Sequence, residues 1–212
     1  MKYIDIEKWK RRKLFEFFNS MDYPHFSLCA DVDVTGTRKY TKENDISFFK
    51  AVLYITAMAA NEVPELRQRI RGEKVVEHDA VHPSFTMLTE DDLFSFCLVE
   101  YSPGFAGFAG RTEKAMDDAL KNPRLADPEG RDDLLFVTSI PWVSFTNITH
   151  PVHMHPVDSV PRIAWGKFHE RASALWMPVS LQAHHALVDG FHSAKYYKLL
   201  QEKLNKPDEV LK

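Results

Sequence analysis

The chain has 212 residues, 44% of them hydrophobic and 27% charged, a balance that suits a globular protein with a substantial core and excludes a disordered one. A net charge of −3 excludes a nucleic-acid binder working through a basic stripe; the short run Lys8, Lys10, Arg11, Arg12 and Lys13 reads mainly as a solvated helix face. No apolar run approaches the roughly eighteen residues of a membrane span, no signal-like segment opens the chain, and Cys29 and Cys97 form no CxxC, so the expectation is a soluble cytoplasmic protein with no membrane partner.

In chain order, DISFFKAVLYITAMAANEV carries apolar residues at Phe48, Val52, Ile55, Ala59 and Val63, spacing that predicts a helix with Asp45 as its N-cap. SFTML (84–88) and LFSFCLVEY (93–101) read as strands, rich in aromatic and β-branched residues. A second helix follows from Pro103, with a loose start containing glycine. DLLFVTSI (133–140), RIAWGKF (162–168) and SALWMPVSLQAHH (173–185) are further strands. FHSAKYYKLLQEKLNK is a third helix, with Phe191, Ala194, Tyr197, Leu200 and Leu204 on one face and Pro207 ending it. There is no repeat and no long linker, so one domain over 1–212 is expected. Its class is α/β: a two-layer sandwich with a mixed β-sheet and packed helices.

The stretch HHALVDG (184–190) lies where the last strand should end and the last helix begin, the crevice region in which open α/β sheets place ligands. Three readings are open. A metal would need more ligands, from His192 or from His150, His153 and His155, while alternation turns His184 and His185 to opposite faces of a strand. A packed, hydrogen-bonded polar turn is the plain structural reading. In the third, one imidazole is a general base and the other packs behind it. No Gly-x-Ser-x-Gly elbow or Cys–His signature accompanies the motif, so direct attack by an acceptor is more economical than a covalent enzyme intermediate.

HHALVDG followed by FH, with PWVSFTNI at 141–148, resembles the chloramphenicol acetyltransferases, part of a wider group of coenzyme A-dependent acyltransferases marked by His-His-x-x-x-Asp-Gly. Trp9, Arg11 and FEFF (15–18), PELRQRI around Leu66, VHPSFTML (81–88) and the MPVSLQAHH approach extend the resemblance over nearly the whole chain. It implies a trimer with active sites between subunits, and acetyl-CoA and a small hydroxylated acceptor entering from opposite ends of a tunnel. Acetyl-CoA would be a co-substrate; no tightly bound cofactor and no metal are implied. By motif position His185 is the general base, Asp189 is structural and paired with Arg11, and Thr138 supplies the hydroxyl for the oxyanion where the family uses serine. Phe18, Phe26, Ser84, Phe94, Phe136 and His150 would form the acceptor site, and Trp142, Ile148, Lys167 and Phe168 the coenzyme channel. Plain alternatives stand beside these: a strand threonine at Thr138, surface cations at Arg11 and Lys167, a core tryptophan at Trp142.

The departures concern the acceptor. Phe18 stands where the family has tyrosine, His150 where an aliphatic residue is expected, and Ala164 and Phe168 where threonine and tyrosine are expected. Hydroxyl handles are lost and an imidazole is gained, so acceptors other than chloramphenicol stay open, as does a non-catalytic relative that binds coenzyme A or an apolar ligand.

Overall fold

The computed structural model describes residues 1–212, the side chain of Asp91 excepted. The N-terminal half runs β1 (Lys2–Ile4), α1 (Arg12–Asn19), β2 (His25–Asp33), α2 (Thr35–Glu43), α3 (Phe48–Asn61), β3 (Gln68–Arg71), β4 (Lys74–Glu77), β5 (His82–Leu88) and β6 (Phe94–Leu98). The rest is α4 (Phe105–Lys121), β7 (Leu134–Ile140), β8 (Arg162–Gly166), β9 (His169–Arg171), β10 (Ala174–His184), α5 (Gly190–Leu204) and α6 (Pro207–Val210).

The main sheet has seven strands in the order β2-β10-β8-β7-β5-β6, with β9 pairing β10. It is mixed: β5, β7 and β8 run parallel, and the remaining pairs are antiparallel. Because side chains alternate along a strand, this register sorts the sheet into two chemically distinct faces. Phe85, Val137, Ile163, Val179, Leu181 and Ala183 belong to one face and join the buried core. Ser84, Phe136, Thr138, Arg162, Ala164, Ser180 and Gln182 belong to the other.

Helices cover the first face. In α3 every residue from Ala51 to Ala57 is buried, as are Ala59 and Ala60, the signature of a helix that is apolar all round and sunk in the core. Val52, Leu53 and Ile55 each contribute about 1.5–3 kcal/mol by leaving water. α5 adds Tyr196, Leu200 and Leu204, and the Tyr197 hydroxyl reaches the carbonyls of Leu28 and Val179 at 2.7 Å and 2.8 Å.

The expected class and the main strands and helices are present, with four corrections. Ser47, not Asp45, caps α3, its side chain accepting from the Lys50 N–H; Asp45 sits at φ 53° in the turn that follows α2. Pro207 does not merely end the last helix but begins α6 at a position where its missing N–H costs nothing. The expected single sheet is joined by a second, three-stranded one, β1-β4-β3. β2 and α2 were not among the expected elements, although Phe26, Leu28, Ala30 and Val32 do alternate with more polar neighbours in β2.

Gly166, at the end of β8, lets the 141–145 segment lie directly on the sheet. A Cβ there would sit 2.9 Å from both Pro178 Cγ and the Val143 carbonyl oxygen, while the Lys167 N–H donates to that same carbonyl at 2.9 Å. Gly166→Ala is expected to lower stability by about 1–3 kcal/mol through overpacking. A thermal melt of the variant checks this; an unchanged midpoint would mean that the segment yields without cost.

Candidate active site

β10 ends at His184 and α5 begins at Gly190, so HHALVDG is a tight strand-to-helix turn. The His184 carbonyl accepts from the N–H groups of Leu187 and Val188, each at 3.0 Å, and the His185 N–H donates to the Pro24 carbonyl at 2.7 Å. Asp189 is the N-cap of α5: its Oδ1 accepts from the Phe191 and His192 N–H groups at 3.0 Å and 3.3 Å. Its Oδ2 accepts from Arg11 Nη1 at 2.5 Å, across 178 residues of sequence. Burial pushes the Asp189 carboxyl up, but the Arg11 hydrogen bond and the charges of His192 and Arg11 outweigh it and hold the group below its ordinary value.

The two histidines diverge. His184 is buried beside His25, the rings edge to face at 5.1 Å, and its Nδ1 accepts from the Ala186 N–H at 3.3 Å. Burial, reinforced by His25, pushes it down to about 4, so it is neutral near pH 7. His25 Nε2 in turn donates to the Asp158 carbonyl at 2.8 Å. His185 is half-buried. Its ring stacks on Phe18, with centroids 3.8 Å apart and planes 4° apart, and lies 4.7 Å from Phe26. Its Nδ1 is the buried nitrogen, without a hydrogen-bond partner in the chain. Thus five of the expected site residues, Arg11, Phe18, Phe26, His185 and Asp189, converge on one turn: Arg11 and Asp189 brace it, and Phe18 and Phe26 hold the His185 ring.

A second group gathers elsewhere. A cavity of about 510 Å³ opens on the polar face of the sheet, lined by Ser84, Phe94, Phe136, Thr138 and His150 together with Phe96, His153, Asp158 and Arg162. Ser84 Oγ donates to Asp127 at 2.6 Å. Gln182 fixes the backbone of His150 by accepting its N–H at 2.7 Å. Burial, then Arg162, push the His150 imidazole below its ordinary value, and its Nε2 is buried without a partner. Arg162 pairs with Asp158 and lies over the Phe136 ring at 5.2 Å. Within one chain the His185 group lies outside the lining of this cavity.

The residues expected along the coenzyme channel lie outside both groups. Trp142 is exposed beside the Gly166 contact, next to exposed Lys167. Phe168 packs edge-on against Phe48 at 5.7 Å, with the Arg38 guanidinium near both rings. The Ile148 carbonyl accepts from Ser27 Oγ at 2.9 Å, over β2 and β10. Among the described residues no three His, Cys, Asp or Glu side chains are grouped to hold a metal ion, and no helix is long and apolar enough to cross a membrane. Arg162 and Asp158 escaped the sequence reading: the register of β8 turns Arg162 to this face, and Asp158, in the segment before that strand, reaches the cavity by pairing with it.

The family model "Chloramphenicol acetyltransferase" matches residues 1–201. Chloramphenicol acetyltransferase 3 of Escherichia coli is 30% identical over 207 residues, covering 95% of this chain and 96% of that protein. A chloramphenicol acetyltransferase of a Klebsiella species is 32% identical, covering 94% and 91%. A solved chloramphenicol acetyltransferase superposes with a TM-score of 0.86 at 29% identity, covering 96% of this chain and 99% of that one. The cubic core of a pyruvate dehydrogenase multienzyme complex, at 15% identity and a TM-score of 0.71 over 99% and 98% of the two chains, shares the fold. The chain belongs to the chloramphenicol acetyltransferase family, whose members are acetyl-CoA-dependent O-acetyltransferases.

Two outcomes are expected from this geometry. Asp189→Asn weakens the Arg11 pair and should cost about 1–3 kcal/mol of stability together with activity; a loss of activity at unchanged melting temperature would show that the carboxylate does more than brace the turn. For His184 the folded value is depressed below the ordinary 6.5 to about 4. The unfolded chain therefore binds a proton that the folded chain refuses, and stability falls as pH drops from about 6.5 toward 4, by of order 1–3 kcal/mol. Denaturant melts of wild type and His184→Gln between those limits measure it: the variant should lose less stability on acidification, and equal losses would remove His184 as the cause.

Proposed function

We propose that this protein transfers an acetyl group from acetyl-CoA to a hydroxyl of chloramphenicol or a similar small hydroxylated acceptor, in one direct step within a ternary complex. The observation that carries the reading is the His185 ring, clamped between Phe18 and a turn braced by Arg11 and Asp189, with Nδ1 buried so that Nε2 is the edge left for an acceptor. Neutral His185 takes the proton of the acceptor hydroxyl as its oxygen attacks the thioester carbonyl carbon. Thr138 donates its hydroxyl to the oxyanion that forms; a donor of this kind is typically worth about a hundred- to a thousandfold in rate. Collapse breaks the carbon–sulfur bond, and the departing thiolate recovers the proton from His185. Asp189 and Arg11 orient the turn and carry no proton.

The acceptor would occupy the cavity between Phe94 and Phe136, with Ser84 and His150 in its wall and Phe18 and Phe26 closing it from the His185 side. Trp142, Ile148, Lys167 and Phe168 would line the coenzyme approach. Since one chain holds His185 and the cavity in separate groups, the site is read as intersubunit, in a homotrimer where the turn of one copy meets the cavity of the next. Exposed apolar side chains beside each half support this: Phe17, Met21, Tyr23 and Phe191 near the turn, and Phe94 at the cavity with Leu88 paired to it across β5 and β6 and Leu93 preceding it. Such a contact joins two different surfaces, and a rotation that closes it makes a ring.

The test is release of coenzyme A thiol from acetyl-CoA, with and without chloramphenicol, for wild type and His185→Ala. Chloramphenicol-dependent release is expected in wild type and should vanish in a variant of unchanged sedimentation mass, that of three chains. Undiminished turnover in His185→Ala would remove the mechanism. Release only with other hydroxylated acceptors would keep the chemistry and change the substrate.

A further inference from the structure

The His185 turn is held by a second imidazole that the transfer itself does not use. His192 is buried at the third position of α5, and it completes a capping box: the Asp189 side chain accepts from the His192 N–H, and His192 Nδ1 accepts from the Asp189 backbone N–H at 3.2 Å. To accept, Nδ1 must be unprotonated, which leaves the ring proton on Nε2. That nitrogen lies 3.5 Å from Glu65 Oε1, in the 3-10 turn Pro64–Arg67 that follows α3. Nδ1 also lies 3.0 Å from Asp189 Oδ1, so in the neutral form two lone pairs face each other across a short gap. A proton on Nδ1 reverses this: the N–H turns to the carboxylate, the Asp189 backbone N–H loses its acceptor, and a cation now competes with Arg11 for Asp189.

We propose that His192 is a positioning residue and a proton-sensitive clamp on the His185 turn: unprotonated it caps the Asp189 N–H and holds the turn, and protonated it releases that bond and draws the Asp189 carboxylate away from Arg11. The charged groups facing it are Glu65 and Asp189, which favour the cation, and Arg11 and Lys195, which oppose it; burial opposes it most strongly. The clamp therefore stays closed near neutral pH and opens on acidification. This rests on the reading of His185 as the base.

Imidazole nitrogen NMR of the whole protein tests the clamp without reference to activity. Near neutral pH the His192 ring should be the Nε2–H tautomer, and the Asp189 backbone amide resonance should move with His192 protonation in wild type and not in His192→Asn. Asparagine offers an oxygen to the same N–H and cannot titrate. In the thiol-release assay with chloramphenicol, log kcat/KM of wild type should steepen on the acid side toward two protons, and that of His192→Asn should fall with one. His192→Leu should lose roughly ten- to a hundredfold in kcat with KM for acetyl-CoA unchanged, and His192→Asn should recover most of it. Glu65→Gln should move the steep part of the limb to lower pH. An Nδ1–H tautomer at neutral pH, an Asp189 amide indifferent to His192, or coincident acid limbs would each overturn the clamp. Should His192→Leu fail to fold, the asparagine and Glu65→Gln variants decide. If His185→Ala keeps wild-type turnover, the underlying reading fails; if it abolishes turnover while the limbs coincide, the clamp alone fails.

Discussion

One carboxylate ties the two ends of this chain together. Asp189 caps the last long helix with one oxygen and receives Arg11, from the first turn of the N-terminal region, with the other. The bond is charge-assisted and mostly shielded, with side chains 14% and 26% exposed, so it is worth more than a surface pair. The proposed base is referred to it. The turn it braces begins at His185, and α1, which Arg11 leads into, carries Phe18 against the face of the same ring.

Strand alternation then divides the labour of the adjacent histidines. His184 follows the parity of Ser180 and Gln182, faces His25 and is kept neutral by burial. His185 follows Ala183, and its ring meets Phe18 and Phe26. A single backbone step separates a packed imidazole from one proposed to move a proton. The same alternation gives the sheet an apolar face for α3 and α5 and a polar face for the cavity, so one register supplies both core and candidate site.

The cavity wall mixes polar and aromatic side chains. His150 and the Arg162–Asp158 pair bring hydrogen-bonding groups to a space otherwise bounded by phenylalanine rings. A buried imidazole nitrogen without a partner favours ligands that can bond to it over ligands that cannot. In the proposed reading, the chemistry of the turn and the choice of acceptor thus lie in different elements, so that the second can vary while the first is held.

Much of this was legible in the residues. HHALVDG announced a strand-to-helix turn, the apolar spacing of 48–63 announced a buried helix, and the order of anchors from Trp9 to Asp189 announced the family. Even the capping box is written in the three-residue spacing of Asp189 and His192. The small sheet was not legible, because strands of three or four residues are too short to show a period. Asp45 looked like a cap because its side chain suits one, whereas the backbone at φ 53° places the helix start at Ser47. Sequence alone determined which side chains are candidates for the proposed chemistry, since those identities and their local spacing are properties of the chain. Tertiary structure decided which of them meet: the pairing of residues 178 apart and the register that parts His185 from the cavity depend on long-range contacts, and no local pattern encodes those.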